Sequence, residues 1–197
     1  MKDLTSIYLS PSFIKRLKSP PPKGDLFKKA IGSWPKTTPL LDLCGGWGRD
    51  SLCFASWGFK VSCLERHSEV FEIVSNAFQN LKTQNTFFEN ILNNITYINT
   101  DAKEFLKNSN ENWPLIYLDP MYPDRKKSAL GKGEMRLLKE LVGDDPDKSE
   151  LAQWAFEKTA KRLVIKGPKL SPSLLENIRP THVFRGSSTR YEIFVKH

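Results

Sequence analysis

From residue 39 onward, short apolar runs alternate with stretches whose apolar residues recur every three or four positions. The runs predict strands and the stretches predict helices. Residues 39–44 form an apolar run that meets Gly45-Gly46-Trp47-Gly48, as a buried strand entering a tight turn would. A helix is expected over 49–57, closed by Gly58, and a second strand over 60–65. Ser68 is a candidate N-cap for a helix that carries Val70, Val74, Phe78 and Leu81 on one face. Further strands are expected at 95–99, 115–118 and 162–165, and helices at 102–107, 135–142 and 149–161. Segments 182–185 and 191–196, around Gly186-Ser187-Ser188-Thr189, read as a closing antiparallel hairpin. This alternation predicts an α/β fold with a largely parallel sheet covered by helices on both faces. Ligands of such sheets bind outside the C-terminal ends of the strands.

The first 38 residues lack this rhythm. Lys15, Arg16, Lys18, Lys23, Lys28 and Lys29 are interrupted by Pro20-Pro21-Pro22, which cannot continue a helix. Residues 1–38 are therefore expected to be a basic arm or lead-in with one short helix at 26–31, and 39–197 the folded domain. The 197 residues are 39% hydrophobic, enough for one domain with a core of its own. Thirty Lys+Arg against 22 Asp+Glu give a net charge of +8, a balance that suits a polyanionic partner. No apolar run approaches the roughly 18 residues of a membrane span, and no secretory signal opens the chain. Cys44, Cys53 and Cys63 form no CxxC pair and read as reduced thiols of a cytoplasmic protein. His67, His182 and His197 have no ligand spacing, so no metal is expected.

Two strand ends carry the candidate chemistry. The first is Asp42-Leu-Cys-Gly-Gly-Trp-Gly-Arg-Asp50, where Gly46 and Gly48 let the backbone approach a ligand closely. A dinucleotide fingerprint would need a third glycine at Ser51, and the phosphate-cradling GxxxxGK[ST] pattern is absent. The next strand ends in Glu65, a carboxylate able to accept two hydrogen bonds from a ribose diol. A plain turn with a solvated strand end would look the same.

The second strand end is Leu115-Ile-Tyr-Leu-Asp119-Pro-Met-Tyr122. An exocyclic base amine is a poor nucleophile because its lone pair is delocalised into the ring. Acceptors at Asp119 and the Pro120 carbonyl would take its N–H bonds and turn the lone pair toward an electrophile, and alignment is where much of the rate should arise. Tyr122 would hold the base by stacking, worth about 1–3 kcal/mol. An ordinary Asp-Pro turn is the bland alternative. A nicotinamide-dependent oxidoreductase would explain the glycine loop and Glu65 but has no use for Asp119–Tyr122. A non-catalytic RNA-binding relative would be expected to have lost one of the two motifs.

Taken together, these residues resemble the RsmJ-type small-subunit ribosomal RNA (guanine-N2) methyltransferases. The resemblance runs through Leu41-Asp-Leu-Cys-Gly-Gly-Trp-Gly-Arg-Asp50, Cys63-Leu-Glu-Arg66, Tyr117-Leu-Asp-Pro-Met-Tyr-Pro123, Lys127-Ser-Ala-Leu130 and Glu134-Met-Arg136. It continues through Leu141-Val-Gly143, Val164-Ile-Lys166 and Arg190-Tyr-Glu-Ile193, covering roughly 24–195. It implies a Rossmann-like seven-stranded methyltransferase sheet, S-adenosyl-L-methionine as methyl donor, and N2-methylguanine at position 1516 of 16S ribosomal RNA as product. Carried over by position, the cofactor would be held by Arg49, Asp50, Glu65, Arg66, Asp101, Ala102 and Asp119, beside Asp42, Gly46 and Gly48 of the loop. Arg125, Lys126, Lys127, Lys132 and Arg136 follow the catalytic edge, and Lys166 ends a strand beside it. All six are candidate contacts to the phosphates of ribosomal RNA or of the assembled small subunit. The loop reads Gly45-Gly46-Trp47-Gly48 where Ala-Gly-Leu-Gly is commoner, and family members are usually longer at the N-terminus, which implies a smaller RNA-binding surface here. Oligomeric state is left open.

Overall fold

The computed structural model describes residues 5–122, 133–143 and 145–196, with the backbone alone at 134 and 135. In chain order the elements are α1 (Thr5–Tyr8), α2 (Pro11–Lys18), α3 (Leu26–Ile31), β1 (Pro39–Asp42), α4 (Arg49–Ser56), β2 (Lys60–Glu65), α5 (Ser68–Gln84) and α6 (Thr86–Leu92). There follow β3 (Ile95–Asn99), α7 (Ala102–Asn108), β4 (Trp113–Leu118), α8 (Gly133–Val142), α9 (Lys148–Lys158), β5 (Thr159–Pro168), β6 (His182–Arg185) and β7 (Thr189–Val195). One seven-stranded sheet runs in the order β3-β2-β1-β4-β5-β7-β6. The first five strands are parallel, and β7 pairs antiparallel with both β5 and β6. The strand order reverses between β1 and β4, which opens a crevice at their C-terminal ends.

Side chains alternate across a strand, so adjacent residues serve opposite faces. Leu40, Leu115, Tyr117 and Val164 pack with α1–α6 in one core, and Leu41, Ile116, Leu118 and Leu163 pack with α7 and α9 in the other. Continuous apolar strands such as Leu115–Leu118 follow from this double burial.

The structure differs from the sequence reading at both ends of regular elements and at the N-terminus. The 5–31 segment is not an irregular arm. Pro11 stands at the first turn of α2, where its missing N–H costs nothing, and the triple proline falls in the connection between α2 and α3. Phe13 and Leu17, one turn apart, are buried with Tyr8 in the same core as the sheet. The Tyr8 hydroxyl donates to the Trp47 carbonyl at 2.6 Å, so the N-terminal helices are tied to the glycine loop. α3 is as expected, capped by Asp25 accepting from Lys28 N at 2.8 Å. α6 was not expected. Asn85 ends α5 in an extended conformation and caps α6 by accepting from Phe87 N at 3.0 Å, so two helices are separated by one residue. Ser68 is the first helical residue rather than the cap, which is His67. α9 stops at Lys158 because β5 begins at Thr159, paired with Trp113 of β4.

Candidate functional site

The glycine loop leaves β1 at the centre of the sheet. Gly46 and Gly48 have φ of +48° and +67°, the left-handed region that favours glycine. Gly45 N donates to Leu64 O at 2.7 Å, pulling the loop against β2 so closely that a Cβ at Gly45 would lie 2.8 Å from Cys63 Sγ and Tyr97 Cε2. Gly48 turns toward α5 instead, and a Cβ there would lie 2.6 Å from Phe78 Cζ. Gly46 therefore borders the crevice, whereas Gly48 is required by the turn and by Phe78.

Asp42 and Glu65 look alike in sequence and differ in place. Asp42 is 1% exposed beneath the loop, accepting from Ser51 Oγ at 2.6 Å and from Cys44 N at 3.3 Å. Burial pushes its pKa up to about 7, against the hydrogen bond from Ser51. Asp42 does not line the crevice. It braces the loop from below, which corrects its assignment as a ligand contact. Glu65 does line the crevice. Its Oε2 accepts from Gly46 N and its Oε1 from His67 N, both at 2.8 Å. Burial raises its pKa, opposed by those two N–H groups. Each oxygen keeps a second lone pair for a ligand.

Further along the same rim, Asp101 caps α7 by accepting from Lys103 N at 2.8 Å and Glu104 N at 3.2 Å, both at Oδ1. Its Oδ2 makes no hydrogen bond among the described residues, and Asp101 and Ala102 both face the crevice. Arg66 pairs with Asp145 and, at 3.2 Å, with Asp147, which also takes Lys103 Nζ at 3.0 Å. Asp145 Oδ2 accepts from Met121 N at 2.6 Å. This network fastens the segment ahead of α9 over the crevice, with Leu138 and Val142 of α8 beside it.

At the far end stands Asp119, delivered by β4. Its Oδ2 accepts from Lys166 Nζ at 2.7 Å, and the same ammonium donates to Asp50 Oδ2 at 2.9 Å. Asp50 Oδ2 also accepts from the Tyr117 hydroxyl at 2.6 Å. Burial raises the Asp119 pKa, with Lys166 opposing. At Asp50 burial also pushes upward, but Lys166 and the Tyr117 hydroxyl outweigh it and the pKa falls. Burial would lower the Lys166 pKa, yet the two carboxylates hold it well above its ordinary value.

These residues enclose a cavity of about 500 Å³, within the range of small-molecule sites. Gly46, Arg49, Asp50, Glu65, Arg66, Asp101, Ala102 and Asp119 line it together. Sequence reasoning missed Ser12, Phe13 and Arg16 of α2, which form its outer wall, with Arg49 stacked over the Phe13 ring at 4.4 Å. Pro11 followed by Phe13 and Leu17 at helical spacing was the available signal. Pro120 is buried behind the rim. The Tyr122 ring packs against Gly167, its hydroxyl donating to Lys166 O at 3.5 Å, and it does not line the cavity. Lys166 spends its charge on two carboxylates instead of reaching outward as a phosphate contact. Arg136 is exposed and paired with Glu140 at 2.8 Å on the same helix face. Arg125, Lys126, Lys127 and Lys132 lie outside the described residues. No helix among the described residues is long and apolar enough to cross a membrane.

The set of acceptors matches a nucleoside joined to a cationic group. A diol can donate to Glu65, an exocyclic amine to Asp101 Oδ2, and positive charge is drawn to Asp50 and Asp119.

Comparison with known proteins agrees with this chemistry. Residues 4–196 match a family described as "Putative SAM-dependent methyltransferase". Among curated proteins, the chain is similar to the ribosomal RNA small subunit methyltransferase J of Brucella anthropi, 32% identical over 92% of this chain and 88% of that one. It is likewise similar to the protein of that name from Desulfotalea psychrophila, 34% identical over 85% of this chain but 64% of that one. It thus spans less than two thirds of the Desulfotalea protein. Among solved structures, a SAM-dependent methyltransferase from Neisseria gonorrhoeae superposes with a TM-score of 0.69 at 26% identity, over 94% of this chain and 72% of that one.

Proposed function

The chain belongs to the S-adenosylmethionine-dependent methyltransferase family of the ribosomal RNA small subunit methyltransferases J, and from that premise we propose that it methylates the 2-amino group of a guanine in small-subunit ribosomal RNA. Guanine 1516 is the position that the resemblance implies. The single observation that carries the reading is the placement of Asp119 in one cavity with Glu65 and Asp101.

The residues present fit the donor. Glu65 would accept from the ribose hydroxyls, Asp101 and the Ala102 backbone would hold the adenine, and Arg49, Asp50 and Arg66 would border the rest. Bound there, S-adenosylmethionine would supply an electrophilic methyl group; as it passes to the amine, S-adenosylhomocysteine would leave uncharged at sulfur and the amine, now carrying the charge, would shed its proton to Asp119 or solvent. The protein therefore needs no strong base before the transfer itself. Asp119 Oδ1, which makes no hydrogen bond among the described residues, accepts an N–H of the incoming amine. The Pro120 carbonyl would accept the neighbouring ring N–H, and the base is then held with its amine on the attack line. Guanine presents its 2-amino group beside a ring N–H, two donors for two acceptors. Adenine presents a donor beside an unprotonated nitrogen and pairs less well. Tyr122, packed against Gly167 near the C-terminal end of β5, would stack on the base outside the cofactor cavity.

Arg125, Lys126, Lys127 and Lys132, which follow Asp119 in sequence, and Arg136, exposed on α8, are the candidate phosphate contacts. A nicotinamide enzyme would leave Asp119 and the acceptor pair without a task. The experiment is single-turnover methylation of small-subunit RNA, free or in assembled subunits, with tritiated donor and nucleoside analysis. N2-methylguanosine should form with the wild type and fall by about 10²-fold or more in Asp119→Asn, which replaces an acceptor oxygen by a donor. Undiminished turnover in that variant, or label in methyladenosine, would contradict the assignment.

A further inference from the structure

We propose that Lys166 is the positioning residue of the transfer step: it holds Oδ2 of Asp119, so that Oδ1 alone meets the amine, and keeps the carboxylate an acceptor. The inference rests on the reading that Asp119 receives the amine.

The geometry begins with strand pairing. β4 and β5 are parallel, with Leu118 opposite Ile165, so Asp119, the residue after β4, comes beside Lys166, which is still within β5. On its other edge β5 is held by β7, where Lys166 pairs with Tyr191. The lysine therefore projects from a strand held by β4 up to Ile165 and by β7 at Lys166 itself. An ammonium has three donors, and two are committed, to Asp119 Oδ2 at 2.7 Å and Asp50 Oδ2 at 2.9 Å. Asp50 is itself tied to the Tyr117 hydroxyl at 2.6 Å, so the ammonium is braced by a group that does not depend on substrate. The outcome is a carboxylate with one oxygen occupied and one available.

Charge follows the same arrangement. Asp119 is faced by Lys166 on β5, Asp50 on α4 and Asp145 ahead of α9, with Tyr122 beside it, while Tyr191 on β7 and Arg16 on α2 border the Lys166–Asp50 side. Lys166 is the positive member in contact with it. Without that ammonium, burial and two neighbouring carboxylates all favour the protonated acid. A protonated Asp119 offers an O–H where the amine needs an acceptor.

The test is the pH dependence of the single-turnover rate at saturating donor, with S-adenosylhomocysteine affinity measured in parallel. Lys166→Met should move the acid limb upward by about one pH unit or more, with about a tenfold loss on that limb. Lys166→Arg, which keeps the charge, should leave the limb near the wild-type position. A merely structural lysine would lower the rate equally at every pH, and a limb that coincides with the wild type in Lys166→Met would overturn the proposal. Should that variant fail to fold, Lys166→Gln removes the same charge with a polar side chain. Its acid limb should also rise, and a limb that stays at the wild-type position overturns the proposal as well. Failure of the wild type to methylate guanine would overturn the parent reading, and this inference with it. An active wild type with unshifted variants overturns this inference alone.

Discussion

Replacement of Gly48 by alanine separates two costs that the structure places at one residue. With φ at +67°, any L side chain at this position adopts the left-handed region, at about 1–2 kcal/mol. The new Cβ also meets Phe78 Cζ at 2.6 Å, and Phe78 is 8% exposed, with its ring packed on Tyr8 and Tyr97. Overpacking of this kind costs about 1–3 kcal/mol. The total, about 2–5 kcal/mol, is a large part of the roughly 5–15 kcal/mol that holds such a domain together. Gly143 is the control. Its φ is +69°, but a Cβ there meets nothing within 4 Å among the described residues. Gly143→Ala should show the backbone penalty alone. Urea unfolding followed by tryptophan fluorescence reads both, with Trp47 inside the loop itself. With a slope of about 2 kcal/mol per molar urea, Gly48→Ala should lower the midpoint by about 1–2.5 M and Gly143→Ala by about 0.5–1 M. Equal losses in the two variants would refute the claim that Phe78 decides the residue at 48.

Glu65→Ala should weaken S-adenosylhomocysteine binding by about 2–4 kcal/mol, because charge-assisted bonds to a diol are lost. Calorimetric titration checks this, and unchanged affinity would remove Glu65 from the site. Asp42 has a folded pKa of about 7, raised above the roughly 3.9 of an unfolded aspartate. Its stabilising contribution is complete below about pH 4 and is lost as pH rises through about 7. Asp42→Asn should flatten the decline in melting temperature between pH 5 and 8, and parallel curves for both proteins would count against the shift. Lys126→Ala with Lys127→Ala should flatten the salt dependence of RNA binding by about 0.7 in log–log slope per lost contact. An unchanged slope would put the RNA path elsewhere.

What the sequence made legible was whatever depends on local order. The strand-loop-helix at 39–56, Glu65 and Asp119 each stand at the end of an apolar run, and in this fold class strand ends are ligand edges. Pairings across the sheet were not legible. Lys166 and Asp119 are 47 positions apart and meet only because β4 and β5 are neighbours. Asp42 was misread for a related reason. The last residue of a central strand lies under the loop that follows it, so its carboxylate turns to Ser51 instead of a ligand. Three consecutive prolines suggested an arm, and they concealed that Phe13 and Leu17 had a core to enter.

The strand order also has a kinetic consequence. β7 lies between β5 and β6 although it follows both in the chain. A nascent or refolding chain can assemble β1 to β5 while Leu163, Val164 and Ile165 still border an open edge. An unpaired apolar edge is a template for a second molecule, and closing it requires a reversal of β6 and a long-range antiparallel pairing that form slowly. The pairing that closes the edge is also the one that sets Tyr191 against Lys166. The glycine loop and the Asp119 edge would thus exist before the clamp on β5 does, and the seating of Lys166 against Tyr191 would be the last arrangement the chain acquires. Pulse-labelled hydrogen exchange should find the amides of β1 and β4 protected ahead of those of β7. Simultaneous protection would show instead that the hairpin docks together with the parallel core.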